Sequence, residues 1–201
     1  MNYLVIDTEF TVRNWTKGQG GDPFDPRNKL CLVGTKLHIE GKPCLKDSEN
    51  EWNQKDIFKI EYDNEPFGEA LQSLQSLIES VDTLVLFNAK RDLHWLRRYG
   101  IRFSHRSIWD VQYAHFVSTD QSNQYPSLNM VCLHYGHPEK LDFIEEKYWS
   151  KKIDTDEIPL DELCTYLDMD VDITERCFLS QLSSISDKQQ RLIRLGCKDL
   201  L

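Results

Sequence analysis

The sequence lacks the features that mark several large classes of protein. No apolar run among its 201 residues approaches the roughly 20 residues that a membrane-spanning helix needs. The start, MNYLVIDTEF, has neither the basic segment nor the long apolar segment of a signal peptide. The 6 cysteines are scattered without a CxxC pair, which argues against a disulfide framework or a zinc knuckle. We therefore expect a cytoplasmic protein with reduced thiols and no membrane partner.

Positive charge is also scarce. The 24 Lys and Arg residues face 33 Asp and Glu residues, which gives a net charge of −9 and argues against a broad basic surface that grips duplex DNA. A nuclease that binds only a few nucleotides is compatible with this charge, because metal ions placed between its carboxylates and the phosphate leave only a local need for basic residues. The 40% hydrophobic and 28% charged residues are ordinary for one globular domain.

The pattern of apolar residues predicts an α/β fold. Short apolar runs predict strands over 3–6, 30–39, 57–62, 83–87 and 107–109, with a loop rich in Gly and Pro over 11–29 and a turn at 41–42. Helical spacing predicts helices over 67–81, 88–99, 111–117, 127–135, 160–182 and 187–201. The first three strands resemble an antiparallel meander, and the helix that leads into the fourth predicts an α/β crossover.

Two acids lie at the end of the first predicted strand. Residues two apart in a strand point to the same face, so Asp7 and Glu9 present both carboxylates to one side. Like charges this close destabilise a fold unless a cation lies between them. Acids two apart are commonly just solvated, but the position at the tip of a buried strand favours a metal site.

Asp92 lies four residues after Asn88, near the start of a predicted helix. An acid there has an equally good structural explanation, a favourable interaction with the helix dipole. Asn88 has a structural explanation of its own as the N-cap of the same helix. Asp110, after the short β-like run, is interpreted as a capping or supporting residue.

A third segment, inside the predicted helix over 160–182, pairs a phenol with an acid. Tyr166 and Asp170 are four residues apart, which places them on one face of the helix. Periodicity alone leaves Asp168 and Asp172 as alternatives. The chemistry favours Asp170, because a hydroxyl one turn before an acid can orient a water molecule.

Together these motifs resemble the DEDDy 3′-5′ exonucleases of the ribonuclease-H-like superfamily, which include the proofreading domains of phage and family A DNA polymerases and the ribonuclease D group. The matching residues are Asp7-Thr8-Glu9, Asn88 to Asp92 in LFNAKRDLHWL, and Tyr166 to Asp170 in YLDMDVDIT. DPFDPRNKL, YPSLNMVCLHYG and IDTDEIPLDEL also resemble phage replicative polymerases. The resemblance implies a mixed β-sheet flanked by helices, with an exonuclease domain over 1–182 and a packed basic helical extension over 183–201.

The resemblance also implies four metal ligands around two Mg²⁺ or Mn²⁺ ions and a tyrosine that orients the attacking water. The ligands are Asp7, Glu9, Asp92 and Asp170, and the tyrosine is Tyr166. Thr165 stands where the sister DEDDh class carries a histidine base. The expected substrate contacts are Thr8, Phe10, Asn88 and Arg91, with Trp15 as a further stacking candidate and the basic stretch over 90–106 as a possible phosphate contact.

The expected function is hydrolysis of single-stranded DNA from its 3′ end to nucleoside monophosphates, in proofreading or DNA replication. We expect a monomer or weak oligomer, with a separate DNA polymerase chain as a candidate partner, in the host cytoplasm if the chain is phage-encoded. Phe10 after the glutamate resembles ribonuclease D, so a 3′-5′ exoribonuclease is an alternative.

Two alternatives belong to other classes of protein. One is a catalytically idle module that binds nucleic acid or a polymerase, and the other is a Ca²⁺-binding structural domain. The intact set of acids argues against the idle module. Cys132, His134 and His137 also suggest a zinc site, but only three ligands are local, so a structural role is favoured.

Overall fold

The computed structural model describes residues 1–15, 20–40, 54–63, 65–103 and 106–198. Within these ranges the strands are β1 (Tyr3–Phe10), β2 (Leu30–His38), β3 (Gln54–Lys59), β4 (Thr83–Leu86) and β5 (Ser107–Asp110). The α-helices are α1 (Gly68–Glu79), α2 (Ala89–Arg98), α3 (Val111–Ser118), α4 (Leu128–His134), α5 (Phe143–Lys147), α6 (Leu160–Ser184) and α7 (Asp187–Cys197). Short 3-10 helices lie at Trp149–Lys151 and Thr155–Glu157.

The described strands form one mixed sheet in the order β3-β2-β1-β4-β5. β1 pairs antiparallel with β2, and β2 pairs antiparallel with β3. β4 pairs parallel with both β1 and β5. The predicted α/β fold of the ribonuclease-H-like type, with an antiparallel meander at its start, is therefore confirmed. The carboxyl ends of the parallel strands β1, β4 and β5 meet at one edge of this sheet.

The core forms where helix α6 crosses β1 and β2. Leu4, Val5 and Ile6 on β1 are fully buried, as expected for a central strand that is covered on both faces. A Cβ atom on Gly34 of β2 would lie 2.6 Å from the side chain of Leu167 on α6. Because no larger residue fits there, glycine lets α6 pack close to the strand that pairs with β1.

Several predicted boundaries were wrong. β1 does not end at Ile6 but continues to Phe10, because β2 pairs with it along its whole length, with Asp7 opposite Gly34. The third strand begins three residues earlier than predicted, at Gln54. Helix α5 and the two 3-10 helices were not predicted, because five and three residues are too few to show a helical period. The predicted turn at 41–42 lies outside the described residues.

Helix α7 (Asp187–Cys197) packs against β5 and α3 and buries Ile193 and Cys197. Ser186 caps its first turn, and its side chain accepts a hydrogen bond from the backbone of Gln189. The division into a domain over 1–182 and an extension over 183–201 stays a prediction. Across the described ranges, no helix combines the length and the apolarity needed to cross a membrane.

Candidate active site

Three carboxylates meet where β1 runs beneath helix α6. One carboxylate oxygen from each of Asp7, Glu9 and Asp170 lies within 4.8 Å of the others. Glu9 and Asp170 are each 7% exposed. In the part of the chain that the structure describes, no other group of three His, Cys, Asp or Glu side chains is close enough to hold a metal ion. The structure therefore brings together three of the four predicted ligands.

The fourth predicted ligand, Asp92, is buried at 5% exposure in the first turn of α2. It lies outside the tight group but is tied to β1, because the hydroxyl of Thr8 donates a hydrogen bond to a carboxylate oxygen of Asp92. Thr8 was expected to contact the substrate. In the structure its hydroxyl contacts Asp92, and the substrate contact stays a prediction.

Burial and mutual repulsion raise the pKa values of these acids. Burial, together with the charges of Asp170 and Asp92, raises the pKa of Asp7 well above its usual range. The same causes raise the pKa of Glu9 to about 8. Burial raises the pKa of Asp92 to about 7, although the hydrogen bond from Thr8 opposes the shift. The like charges thus sit close together without enough positive charge to offset them.

Lys140 is a cationic neighbour of Asp170. Burial raises the pKa of Asp170 to about 6, and the nearby ammonium of Lys140 limits the rise. Lys140 Nζ lies 2.6 Å from the carboxylate of Asp170 and 3.4 Å from the centroid of the Tyr166 ring. The Tyr166 hydroxyl donates to Asp142 over 3.3 Å. Burial and the charge of Asp170 raise the pKa of Tyr166, so its hydroxyl stays protonated at neutral pH.

Asp170 lies on a different face of α6 from Asp168 and Asp172. Asp168 and Asp172 turn toward β2 and β3, where Lys55 Nζ lies 2.8 Å from Asp168 and 2.5 Å from Asp172. Lys36 Nζ lies 2.7 Å from Asp172. These ion pairs direct Asp168 and Asp172 away from the carboxylate group, so Asp170 is the acid of this helix that joins Asp7 and Glu9.

Asp110 braces the start of α2. Its carboxylate accepts hydrogen bonds from the backbone of Gln112 and Tyr113 and so caps α3, as predicted. It also accepts hydrogen bonds from the backbone of Asn88 and Ala89. The side chain of Asn88 makes no capping hydrogen bond, and its φ of 57° lies in the left-handed region that asparagine tolerates. Asn88 is therefore the N-cap residue of α2, as the sequence suggested, but its side chain makes no hydrogen bond to the first turn.

A cleft of about 230 Å³ opens beside the carboxylates. Its lining includes Glu9, the rings of Phe10, Trp15 and Trp149, and the exposed side chain of Arg91. Three of the residues that the sequence suggested as substrate contacts or stackers, Phe10, Trp15 and Arg91, therefore share one cleft. Flat aromatic rings beside a cationic group are suited to nucleobases and phosphates.

Arg97, Arg98 and Arg106 of the basic stretch over 90–106 make side-chain contacts within the fold. The Arg98 guanidinium donates to the backbone carbonyls of Pro23 and Asp25, and Arg106 donates to that of Glu79. Arg97 lies over the ring of Phe103. Arg91, with its guanidinium 5.7 Å from the ring of Phe10, is the member of this stretch that lines the cleft.

The suggested zinc ligands do not converge. Cys132 is buried with its sulfur 3.5 Å from that of Cys177, and His137 hydrogen-bonds Ser180 over 2.8 Å. His134 is exposed and packs its ring against that of His115. Among the described residues these three side chains form no common metal site, so their structural interpretation is supported.

A known protein family matches the greater part of the chain. Residues 36–183 match the model of a family described as 3′-5′ exonuclease. The chain belongs to this family of 3′-5′ exonucleases. The matched range of the exonuclease contains Asp92, Tyr166 and Asp170, and it begins after Asp7 and Glu9. No curated protein sequence matches the exonuclease.

Solved structures share its fold. Brucella melitensis NrnC bound to pGG is 17% identical to the exonuclease, with a TM-score of 0.61. The match covers 98% of the exonuclease and 80% of the NrnC chain. Brucella melitensis NrnC with bound Mg²⁺ is 18% identical, with a TM-score of 0.55, and the match covers 98% of the exonuclease and 81% of the NrnC chain. The family B DNA polymerase from the hyperthermophilic archaeon Pyrobaculum calidifontis is 13% identical with a TM-score of 0.54, over 100% of the exonuclease and 27% of the polymerase.

The donor set of the exonuclease fits the divalent metal ions on which its family depends. Buried carboxylate oxygens are hard ligands, and their mutual repulsion is relieved by a cation bound among them. Two residues at the site were not found from the sequence, Lys140 beside Asp170 and Trp149 in the cleft wall. The aromatic pair Tyr148-Trp149, in a strongly charged segment of the sequence, could have indicated Trp149.

Proposed function

We propose that this exonuclease removes nucleoside monophosphates from the 3′ ends of single-stranded DNA, with catalysis at Asp7, Glu9, Asp92, Asp170 and Tyr166. The observation that carries the proposal is the buried group of Asp7, Glu9 and Asp170, whose oxygens lie within 4.8 Å of one another beside an aromatic cleft. A solvated acid pair needs neither burial nor a third carboxylate from a distant helix. A catalytically idle module offers no reason for the buried acids, and a Ca²⁺-binding structural domain offers none for the adjoining cleft.

The acids would hold two Mg²⁺ or Mn²⁺ ions, with Asp7, Glu9 and Asp170 as the inner ligands and Asp92 as the outlying one. Bound divalent ions lower the pKa of a water molecule and stabilise the charge that develops on the phosphate during phosphodiester hydrolysis. Thr8 keeps Asp92 facing β1 through its hydrogen bond. Carboxylates that are fixed by strand pairing and by helix packing need no rearrangement before they bind cations.

Tyr166 would orient the attacking water. Its hydroxyl is a donor at neutral pH because burial and Asp170 raise its pKa, so it cannot act as a general base there. Its ring is fixed on two sides, with the rings of Phe143 and Trp149 at centroid distances of 5.8 Å and 5.5 Å. A hydroxyl on an immobilised ring can aim a water molecule with little loss of conformational entropy.

The terminal nucleotide would enter the cleft, where Phe10, Trp15 and Trp149 supply rings for stacking and Arg91 supplies a phosphate contact. A small cleft with local positive charge suits a single-stranded end better than a duplex, given the net charge of −9. DNA replication and proofreading, with a separate polymerase as partner, are the roles suggested by the resemblance to phage polymerase segments. An exoribonuclease is the second candidate, because Phe10 follows Glu9 as in ribonuclease D, and because NrnC, bound to pGG, shares the fold.

The test compares matched DNA and RNA single strands that carry a 5′ label, in the presence of Mg²⁺, Mn²⁺ or a chelator. The proposal predicts a ladder of products shortened from the 3′ end, faster on DNA, and no products in the chelator. Faster shortening of RNA would establish the second candidate. Products that remain in the chelator would refute the metal-dependent mechanism.

A further inference from the structure

A buried lysine, Lys140, lies beside the cluster of Asp7, Glu9 and Asp170. Lys140 Nζ is 2.6 Å from the carboxylate of Asp170 and 3.5 Å from Asp142, and its side chain is only 8% exposed. A lysine is almost never buried unless a partner of opposite charge accompanies it. The ammonium therefore depends on Asp170, and Asp170 in turn faces Lys140 among several acids.

The fold holds Lys140 at this position from two directions. The side-chain amide of Asn129 on α4 clamps its peptide backbone, since the Lys140 N–H donates to Asn129 over 2.9 Å and the Lys140 carbonyl accepts from Asn129 over 3.4 Å. At the other end, the ammonium lies 3.4 Å from the centroid of the Tyr166 ring. A cation over an aromatic face is attracted to it, most strongly when it is desolvated. The lysine is thus positioned both by its backbone and by its charged end.

An ammonium and a divalent ion compete for the same oxygens. The contact of Lys140 uses the carboxylate that Asp170 would offer to a metal ion. Carboxylates packed this closely destabilise the metal-free fold, and a fixed positive charge offsets part of that cost. The same charge opposes the approach of a second cation.

We propose that Lys140 is the internal counter-ion of the metal-free site. Its ammonium pairs with Asp170 until a metal ion displaces it. Because the metal ion must displace this ammonium, Lys140 sets the metal affinity of the exonuclease. The inference rests on the metal site proposed above. Lys140 acts here as a positioning residue, because it acts through Asp170 and Tyr166. Its loss should destabilise the metal-free protein and tighten metal binding.

The experiment measures Mn²⁺ binding by calorimetry and melting temperature in a chelator for the wild type, Lys140→Met and Lys147→Met. Lys147 is the matched control, because its ammonium also pairs with a carboxylate, Glu162 at 2.6 Å, and lies over a ring, that of Tyr148 at 5.1 Å, but on an exposed surface. Lys140→Met should melt several degrees below the wild type in chelator and bind Mn²⁺ roughly tenfold or more tightly. Lys147→Met should match the wild type in Mn²⁺ affinity.

A second measurement uses the wild-type protein and so does not depend on the folding of a variant. The ¹⁵N resonance of the Lys140 ammonium, assigned by its loss in Lys140→Arg, should shift as Mg²⁺ is added. A Lys140→Met protein with unchanged Mn²⁺ affinity, or an ammonium resonance that does not respond to Mg²⁺, would overturn the role of Lys140 alone. A wild-type protein that binds no Mn²⁺ would overturn the proposed metal site and this inference together.

Discussion

Thr8 donates its hydroxyl hydrogen to Asp92, which joins the middle of the first motif on β1 to the first turn of α2. Both side chains are 5% exposed, so water does not compete freely for this hydrogen bond. Thr8 lies between Asp7 and Glu9 and points to the opposite side of the strand from them. Strand β1 therefore supplies Asp7 and Glu9 to the cluster of acids and positions Asp92 through Thr8.

We expect Thr8→Val to lower exonuclease activity by roughly 10–100-fold at low metal concentration, the effect typical of losing a residue that supports a metal ligand. Excess Mn²⁺ should restore part of the activity, because Asp92 itself remains. The control is Thr119→Val, since the hydroxyl of Thr119 donates to the backbone carbonyl of His115 at the end of α3. Equal activity of the two variants in a metal titration would remove Thr8 from the site.

Asp170→Asn and Asp168→Asn should differ in their effects, although the two residues are only two positions apart on helix α6. Asp170→Asn removes a charged ligand from the buried group, so activity and metal affinity should both fall by more than the roughly 10–100-fold of an outlying support. Asp168→Asn removes an ion pair with Lys55 from a side chain that is 42% exposed, and it should stay near wild-type activity. An inactive Asp168→Asn beside an active Asp170→Asn would reverse the assignment.

Tyr166→Phe should separate the positioning of water from the binding of metal. The phenylalanine keeps the ring beneath Lys140 but removes the hydroxyl, so kcat should fall by roughly 10²–10⁴-fold with KM nearly constant. The measurement is single-turnover cleavage across a metal titration. An unchanged rate would exclude the tyrosine from the mechanism, and a large shift of the metal dependence would assign it to the metal site.

The metal-free protein should lose stability as the pH rises from about 5 to about 8. Burial and the charge of Asp170 raise the pKa of Glu9 from 4.5 to about 8, so the folded state holds a proton that the unfolded state releases near its ordinary pKa. The stability that comes from this proton is complete below the ordinary pKa and is lost as the pH rises through about 8. Melting temperatures in chelator at pH 6 and pH 8 test this, and Glu9→Gln should flatten the difference. A stability that increases over this pH range would contradict it.

The convergence of Asp7, Glu9 and Asp170 could be predicted from the sequence because each motif carries its own geometry. A spacing of two on a strand places Asp7 and Glu9 on one side, and a spacing of four on a helix places Tyr166 above Asp170. Periodicity did not distinguish Asp170 from Asp172. That distinction depends on Lys36, which pairs with Asp172 from a strand more than a hundred residues earlier in the chain.

Residues placed by distant contacts were not predictable. Lys140 lies in an irregular segment, and its position depends on contacts with Asn129 and Asp170, which are 11 and 30 residues away and are not indicated by any pattern around Lys140. Trp149 belongs to a 3-10 helix too short to show a period. The left-handed backbone of Asn88 likewise follows from the bonds that Asp110 makes across the edge of the sheet.

The most direct test of the central claim is the release of a 3′-terminal label from single-stranded DNA by the wild type and by Asp7→Ala, with Mg²⁺ and with chelator. The wild type with Mg²⁺ should release the labelled nucleoside monophosphate at once, and a 5′ label should stay on the shortened strand. Asp7→Ala should release nothing while it melts in chelator no lower than the wild type, because a repelled carboxylate is gone. Release at the wild-type rate by a folded Asp7→Ala protein would contradict the account.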